Sequence, residues 1–166
     1  MTNIILRGVY QTRTERAAMS STYLSLHYHL IFSTKHREPS ISKDWQERLH
    51  EYLGGTVKGL DGFPQGVGGV SDHVHLLVGL KATHRLADFL RELKKASSAW
   101  VHDEIGLKSF AWQEGYAAFT VSATSRDGVK RYIANQAEHH RQRSFHEELI
   151  DLLNKAGIEF DERYLD

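Results

Sequence analysis

Ser71-Asp72-His73-Val74-His75-Leu76-Leu77-Val78 is the stretch around which the rest of the chain can be interpreted. Side chains alternate between the two faces of a β-strand, so His73 and His75 share one face while the apolar residues between and after them share the other. The apolar face predicts packing against a core. Two imidazoles about 7 Å apart along a strand can bind one divalent metal if a third ligand comes from elsewhere.

The alternative is that these histidines form an ordinary polar strand face. The chain has 11 histidines, and a second His-x-His pair, His27-Tyr28-His29, occurs nearer the N-terminus. The metal interpretation therefore depends on the residues that the rest of the chain could bring to this strand.

Composition limits the class of protein. With 166 residues, 40% of them apolar and 25% charged, the chain can bury a core in one domain. The formal net charge is zero, so a nucleic-acid surface would have to be a local patch. Cysteine is absent, which excludes disulfides, thiolate metal sites and cysteine nucleophiles and suits a cytoplasmic protein. A membrane span and a signal peptide are not expected. Residues 1–18 lack periodicity and are predicted to be a disordered N-terminal extension before a single domain over residues 19–166.

Hydrophobic periodicity predicts four strands and four helices. The strands are predicted over 23–35, from Phe63 in a Gly-rich segment, over 73–80 and over 110–121, with the second and third paired in a hairpin. The first two helices are predicted from a cap at Ser42 to Val57 and from a cap at Thr83 to Trp100. The last two are predicted from Thr124 and Asp127 through Ala137, and from the Ser144/Glu147 capping box to Gly157.

This order is β-α-β-β-α-β with added C-terminal helices. It predicts an α+β, ferredoxin-like (RNA-recognition-like) fold, in which a four-stranded antiparallel sheet carries both internal helices on one face. The first and third strands are then neighbours at the centre. The opposite face is left for an extra helix or a ligand.

One face of the third predicted helix carries Tyr132, Gln136 and His139, with His140 alongside. If this helix crosses near the strand histidines, Gln136 supplies an oxygen ligand, and the open positions suit Mg²⁺ or Mn²⁺ with a bound phosphate. The Tyr132 hydroxyl is then a nucleophile candidate that needs the field of the metal to ionise, because its ordinary pKa is about 10. The alternative is that Tyr132 is an aromatic residue that packs the helix.

Two groups of basic residues could contact phosphate or could simply be solvated. The first is the loop Lys35-His36-Arg37, and the second comprises Arg91, Lys94 and Lys95 on the second helix.

Several separated motifs resemble the one-tyrosine branch of the HUH endonucleases, the single-strand transposases of the insertion-sequence 200/605 group. The likeness covers roughly residues 20–166. It rests on the following segments, which are Asp72-His73-Val74-His75-Leu76-Leu77-Val78, Tyr132-Ile133-Ala134-Asn135-Gln136, Phe32-Ser33-Thr34-Lys35-His36-Arg37, Ser97-Ser98-Ala99-Trp100, Trp112-Gln113-Glu114-Gly115-Tyr116 and Asp161-Glu162-Arg163-Tyr164-Leu165.

The resemblance implies a DNA transposase in which His73, His75 and Gln136 bind a divalent metal. Tyr132 would attack a phosphate of single-stranded DNA, leaving a 5′-phosphotyrosine and a free 3′-OH, and rejoining to another 3′-OH would move the element. It also implies a homodimer whose active site is shared between subunits, and recognition of a DNA hairpin. The candidate phosphate contacts are Lys35, Arg37, Arg91, Lys94 and Lys95.

Two other functions remain open at this point. One is a domesticated module that binds hairpin DNA or RNA without cutting it. The other is a small metal-binding α+β hydrolase that uses His73 and His75 with His139 or His140.

Overall fold

The computed structural model describes residues 23–141 and 143–165, so the predicted extension over residues 1–18 lies outside the described residues. Four antiparallel strands form one sheet, in the order β2-β3-β1-β4. Their bounds are β1 His27–Ser33, β2 Phe63–Gly69, β3 His73–Gly79 and β4 Ala117–Thr120. The predicted ferredoxin-like sheet, with the first and third strands at its centre, is confirmed.

Two helices, α1 Lys43–Gly59 and α2 Leu86–Trp100, cover one face of the sheet. The N-cap predicted at Ser42 is confirmed, because its side chain accepts a hydrogen bond from the backbone N–H of Asp44. The core between the layers consists of the apolar face of the central strands and the inner faces of the helices. Its fully buried members include Leu30, Val74, Leu76, Val78, Leu49, Leu53, Val57 and Leu93.

Three further helices follow β4, and they are α3 Arg126–Ala134, α4 Gln136–His139 and α5 Phe145–Lys155. Helix α3 packs against β2 and β3, where Ile133 joins Leu77 and Val121 in a second apolar cluster. Because Leu77 points to the same side of β3 as the two histidines, α3 lies on the face opposite α1 and α2. The capping box predicted at Ser144 and Glu147 is confirmed.

Helix α2 begins at Leu86, so the cap predicted at Thr83 is wrong. The ring of His84 explains the later start. Its Nδ1 accepts a hydrogen bond from the backbone N–H of Lys81 (3.0 Å), and its Nε2 donates to the carbonyl of Leu60 (2.8 Å). These bonds hold residues 81–84 as a turn, and the helix starts only after it.

The fourth strand is much shorter than the predicted 110–121. Thr34 and Trp112 form an isolated bridge, and the Trp112 indole N–H donates to the Ser97 hydroxyl (2.9 Å). The Lys94 ammonium donates to the carbonyls of three consecutive residues, at 2.9 Å for Glu114 and 3.1 Å for Gly115, with Gln113 closest. A cation therefore satisfies the carbonyls that a strand ladder would otherwise use.

The helix predicted to run from Thr124 through Ala137 is divided. Helix α3 begins at Arg126, and the Thr124 hydroxyl bonds to that of Ser122 (3.1 Å). At Asn135 the backbone leaves the helical conformation (φ −101°, ψ 19°), and α4 begins directly afterwards. Among the described residues, the helices lack the length and apolar character needed to span a membrane.

Candidate metal centre

His73 and His75 are buried side by side on β3, and a second partner orients each ring. His73 Nδ1 is 2.7 Å from a carboxylate oxygen of Asp72, and His75 Nδ1 is 2.9 Å from Nε2 of His29. The sheet register explains the second contact, since β1 pairs directly with β3 and brings His29 beside the strand. Bonds of this kind fix the ring and direct the other nitrogen toward a metal.

Charge and burial favour the forms of these groups that bind cations. Burial and the neighbouring His73 hold the pKa of His75 well below its usual range, and burial with the charge of His75 lowers the pKa of His29 to about 3. Burial alone would raise the pKa of Asp72, but the hydrogen bond and charge of His73 outweigh it and the pKa is lowered. The neutral imidazole of His75 offers a lone pair, and the ionised carboxylate of Asp72 adds the negative charge that favours a divalent ion.

Gln136 lies at the start of α4 and is fully buried. Its amide nitrogen donates to Glu148 (3.3 Å), while its amide oxygen has no hydrogen-bond partner among the described residues. The break at Asn135 separates Gln136 from the α3 helix that carries Tyr132. An oriented, unpartnered amide oxygen fits the third-ligand role predicted from the sequence, which stays a prediction.

Glu148, on α5, is a residue that the sequence reasoning missed. It is 2% exposed, and its Oε2 lies 3.6 Å from His73 Nε2, 3.5 Å from His75 Nε2 and 3.0 Å from His140 Nε2. Burial raises the pKa of Glu148 to about 7, against the lowering effect of His73. A signal for it existed. The capping box at Ser144 sets the phase of the helix and places Glu148 one turn after the buried Phe145, on the face that packs inward.

Tyr132 reaches the same cluster from α3. Its hydroxyl donates to Glu148 Oε1, and its ring centroid lies 5.8 Å from that of His75 and 5.0 Å from that of His139. The Gly-rich strand β2 permits this approach, because the backbone of Ile133 lies directly over Gly68. One chain thus brings together the predicted nucleophile and the predicted ligands His73, His75 and Gln136.

The predicted phosphate contacts are not gathered at this centre. Lys35 and Lys95 are exposed, Arg91 pairs with Asp88 (2.7 Å) and Glu92 (3.2 Å), and Lys94 binds the carbonyls of the 113–115 segment. The three α2 cations belong to the helical layer on the other side of the sheet. Their role in DNA binding stays a prediction.

Arg37 differs from these cations because it contacts the C-terminal region. Its guanidinium lies 5.0 Å over the Phe145 ring and donates to the carbonyl of Leu165. A DNA role for Arg37 also stays a prediction.

The donor atoms together fit a divalent cation. Four side chains with donor atoms within 4.8 Å of one another each have a buried atom without a hydrogen-bond partner among the described residues, and these atoms are His73 Nε2, His75 Nε2, His140 Nε2 and Glu148 Oε2. The amide oxygen of Gln136, whose amide nitrogen contacts Glu148, is also buried and unpartnered. Buried polar atoms are nearly always satisfied in folded proteins, so several orphans at one point indicate a ligand that binds there.

Comparison with known proteins identifies the family. The family model described as "Transposase IS200 like" matches residues 22–136, which is more than half of the chain. The chain belongs to the IS200-like transposases. This matched region includes His73, His75, Tyr132 and Gln136, whereas His140 and Glu148 lie beyond it.

Individual relatives agree with this transposase assignment. The chain is 29% identical over 119 residues to the ISDra2 transposase TnpA of Deinococcus radiodurans, covering 67% of this chain and 84% of the relative. A crystal structure from Deinococcus radiodurans R1, described as a transposase, matches with a TM-score of 0.57 at 28% identity, over 70% of this chain and 95% of that one. A REP-associated tyrosine transposase bound to a REP hairpin shares the fold, with a TM-score of 0.53 at 14% identity over 74% of each chain.

Proposed function

We propose that this transposase nicks and rejoins single-stranded DNA at the hairpin-flanked ends of an element, through a 5′-phosphotyrosine intermediate and with a divalent metal. The observation that carries the proposal is the position of the Tyr132 hydroxyl, which shares the Glu148 carboxylate with the buried donor atoms of His73 and His75. A tyrosine that only packed a helix would have no need of buried, unpartnered imidazoles beside it.

In this proposal His73, His75 and Gln136 hold Mg²⁺ or Mn²⁺. The ion, when bound, withdraws electrons from a DNA phosphate and lowers the barrier to ionisation of a nearby hydroxyl. Asp72 and His29 keep the two imidazoles oriented, and the burial of the site limits access of water, which would otherwise compete with the tyrosine.

The bond changes balance within one transfer. The Tyr132 oxygen loses its proton and forms a bond to phosphorus, the bond from phosphorus to the 3′ oxygen breaks, and that oxygen takes up a proton to become a free 3′-OH. Attack by a different 3′-OH reverses the step, releases Tyr132 and joins the two DNA ends. The energy of the phosphodiester bond is kept in the phosphotyrosine, so no other energy source is needed.

DNA recognition extends the proposal beyond the reacting atoms. The REP-associated neighbour binds a hairpin, which supports a hairpin as the recognised feature here. Lys35, Arg37, Arg91, Lys94 and Lys95 are the proposed backbone contacts, with Lys94 the weakest candidate because carbonyl groups already use its donors. A cytoplasmic homodimer with an active site shared between its subunits is part of the proposal. Tyr132 also lies beside His73 and His75 within one chain, so the mixing of two inactive variants decides which chain supplies the nucleophile.

The test uses labelled single-stranded oligonucleotides that cover the hairpins beside the gene. With Mg²⁺ or Mn²⁺, the wild-type protein should give a slow, protease-sensitive band on a denaturing gel. Tyr132→Phe should abolish this band and change hairpin affinity by only a few-fold, while the control Tyr164→Phe, at an exposed position, should cleave normally. Covalent adducts formed by Tyr132→Phe would contradict the nucleophile assignment. DNA that is bound in a native gel-shift experiment but is not cut with either Mg²⁺ or Mn²⁺ would favour a binding module.

A further inference from the structure

We infer that the chain beyond the family match contributes two additional metal ligands, His140 and Glu148, to the site formed by His73 and His75. The inference deepens the proposed function and rests on it. The matched region ends at residue 136, so the family resemblance assigns nothing to either residue. The four donor atoms, one from each side chain, all lie within 4.8 Å of one another.

The spacing of these atoms fits one shared cation. Donors about 2.1 Å from an ion lie about 3.0 Å apart as neighbours in an octahedron and about 3.4 Å apart in a tetrahedron. Glu148 Oε2 is 3.0 Å from His140 Nε2, 3.5 Å from His75 Nε2 and 3.6 Å from His73 Nε2. None of the four atoms has a hydrogen-bond partner among the residues that the structure describes.

His140 carries the same orienting arrangement as His73. Its Nδ1 is 3.0 Å from the backbone carbonyl of Arg143, which can only accept, so the Nδ1 proton is donated and the lone pair remains on Nε2. In the same way, the Asp72 carboxylate accepts the hydrogen bond of His73 Nδ1 and leaves the lone pair of His73 on Nε2. A histidine that ligates through one nitrogen typically donates a hydrogen bond through the other. His140 is therefore oriented as a ligand, although it lies outside β3.

Glu148 would link the ion to the nucleophile. One carboxylate oxygen faces the imidazole nitrogens, and the other accepts the hydrogen bond of Tyr132. The α5 helix would thereby fix the distance between the metal and the reacting hydroxyl. A donor set of three imidazoles and one carboxylate is better suited to a first-row transition ion than to Mg²⁺, so Mn²⁺ should bind more tightly of the two.

Metal binding can be measured without any DNA. The full-length protein, treated with a chelator, would be titrated with Mn²⁺ by calorimetry, with free Mn²⁺ followed by electron paramagnetic resonance. Glu148→Gln and His140→Ala should each weaken Mn²⁺ binding by about tenfold or more. The controls are Glu159→Gln, at an exposed carboxylate, and His146→Ala, at a histidine that shares α5 with Glu148 but is not in the donor cluster. Both controls should bind as the wild type does.

The possible outcomes separate this inference from the proposed function. Wild-type affinity in both Glu148→Gln and His140→Ala, with binding lost in His73→Ala, would overturn the inference and leave the proposed metal site intact. Unchanged binding in His73→Ala would overturn the metal site itself. If Glu148→Gln fails to fold, as judged by circular dichroism, His140 at the edge of the cluster still decides the question through its own variant.

Discussion

Replacing Gly68 by alanine should separate the candidate nucleophile from the metal centre. Gly68 lies on β2 under the backbone of α3. It faces Ile133, the residue that directly follows Tyr132 on that helix. A Cβ added at Gly68 would lie 3.0 Å from Ile133 Cγ2 and 3.1 Å from the Ile133 carbonyl carbon, and it would overlap the carbonyl oxygen. The neighbour is backbone, so rotation of a side chain cannot relieve the overlap.

The shift of α3 determines the expected losses in the free energy of unfolding and in the cleavage rate. The overlap with the Ile133 carbonyl oxygen is the most severe contact, and to relieve it α3 must retreat by about 1 Å. Overpacking of this kind costs about 1–3 kcal/mol in the free energy of unfolding. A misplacement of about 1 Å at reacting groups can cost about 100-fold in rate, and we expect a loss of that order in formation of the covalent adduct.

Gly66→Ala is the matched control. Gly66 is on the same strand, but a Cβ there would meet Ile133 Cγ2 at 3.9 Å, which is ordinary contact. Urea unfolding and single-turnover cleavage should therefore leave Gly66→Ala close to the wild type and affect Gly68→Ala in both measurements. Equal stability and equal cleavage rates in the two variants would refute the argument that this glycine sets the position of α3.

Three further changes have defined expectations. Asp72→Ala removes the carboxylate that orients His73, and calorimetry should show Mn²⁺ affinity reduced about 10–100-fold; unchanged affinity would exclude that role. Lys94→Met removes the charged donor shared by the carbonyls of Glu114 and Gly115 and should cost about 1 kcal/mol in urea unfolding, since water can replace part of the interaction at these exposed residues, whereas the exposed Lys95→Met should not, and equal losses would contradict this structural role. Mixing Tyr132→Phe with His73→Ala protein should restore no adduct if each site is built within one chain, and recovered adduct would show that subunits share sites.

The elements with strong local signals could be predicted from the sequence. The alternation of His73, Val74, His75 and Leu76 predicted both the strand and the faces of its side chains, because a slip of one residue would place the two imidazoles in the apolar core under α1 and α2. The caps at Ser42 and Ser144 were predictable because each depends on a side chain and a backbone N–H that are close in sequence. The hairpin of β2 and β3 followed from the short turn between them.

The predictions that were wrong concern features that depend on contacts between residues distant in sequence. The 110–116 segment has strand-like residues, but Lys94 on α2 binds its carbonyls and Thr34 pairs with it at one position only. The start of α2 is delayed by a bond from His84 to Leu60, which no local pattern reveals. Periodicity through Ile133 predicted one continuous helix and could not show that the chain turns at Asn135.

Glu148 escaped prediction for a related reason, and its position changes how the C-terminal helix should be understood. A charged residue in an amphipathic helix is ordinarily assigned to solvent, and only the centre that α5 covers makes its burial tolerable. Phe145 stacks on His73 with centroids 4.2 Å apart, and Glu148, one turn later, reaches the same imidazole from the side of Nε2. The Ser144 cap fixes both residues at once. Helix α5 is therefore a wall of the site, and the geometry of His73 depends on it as well as on the strand that carries the histidine.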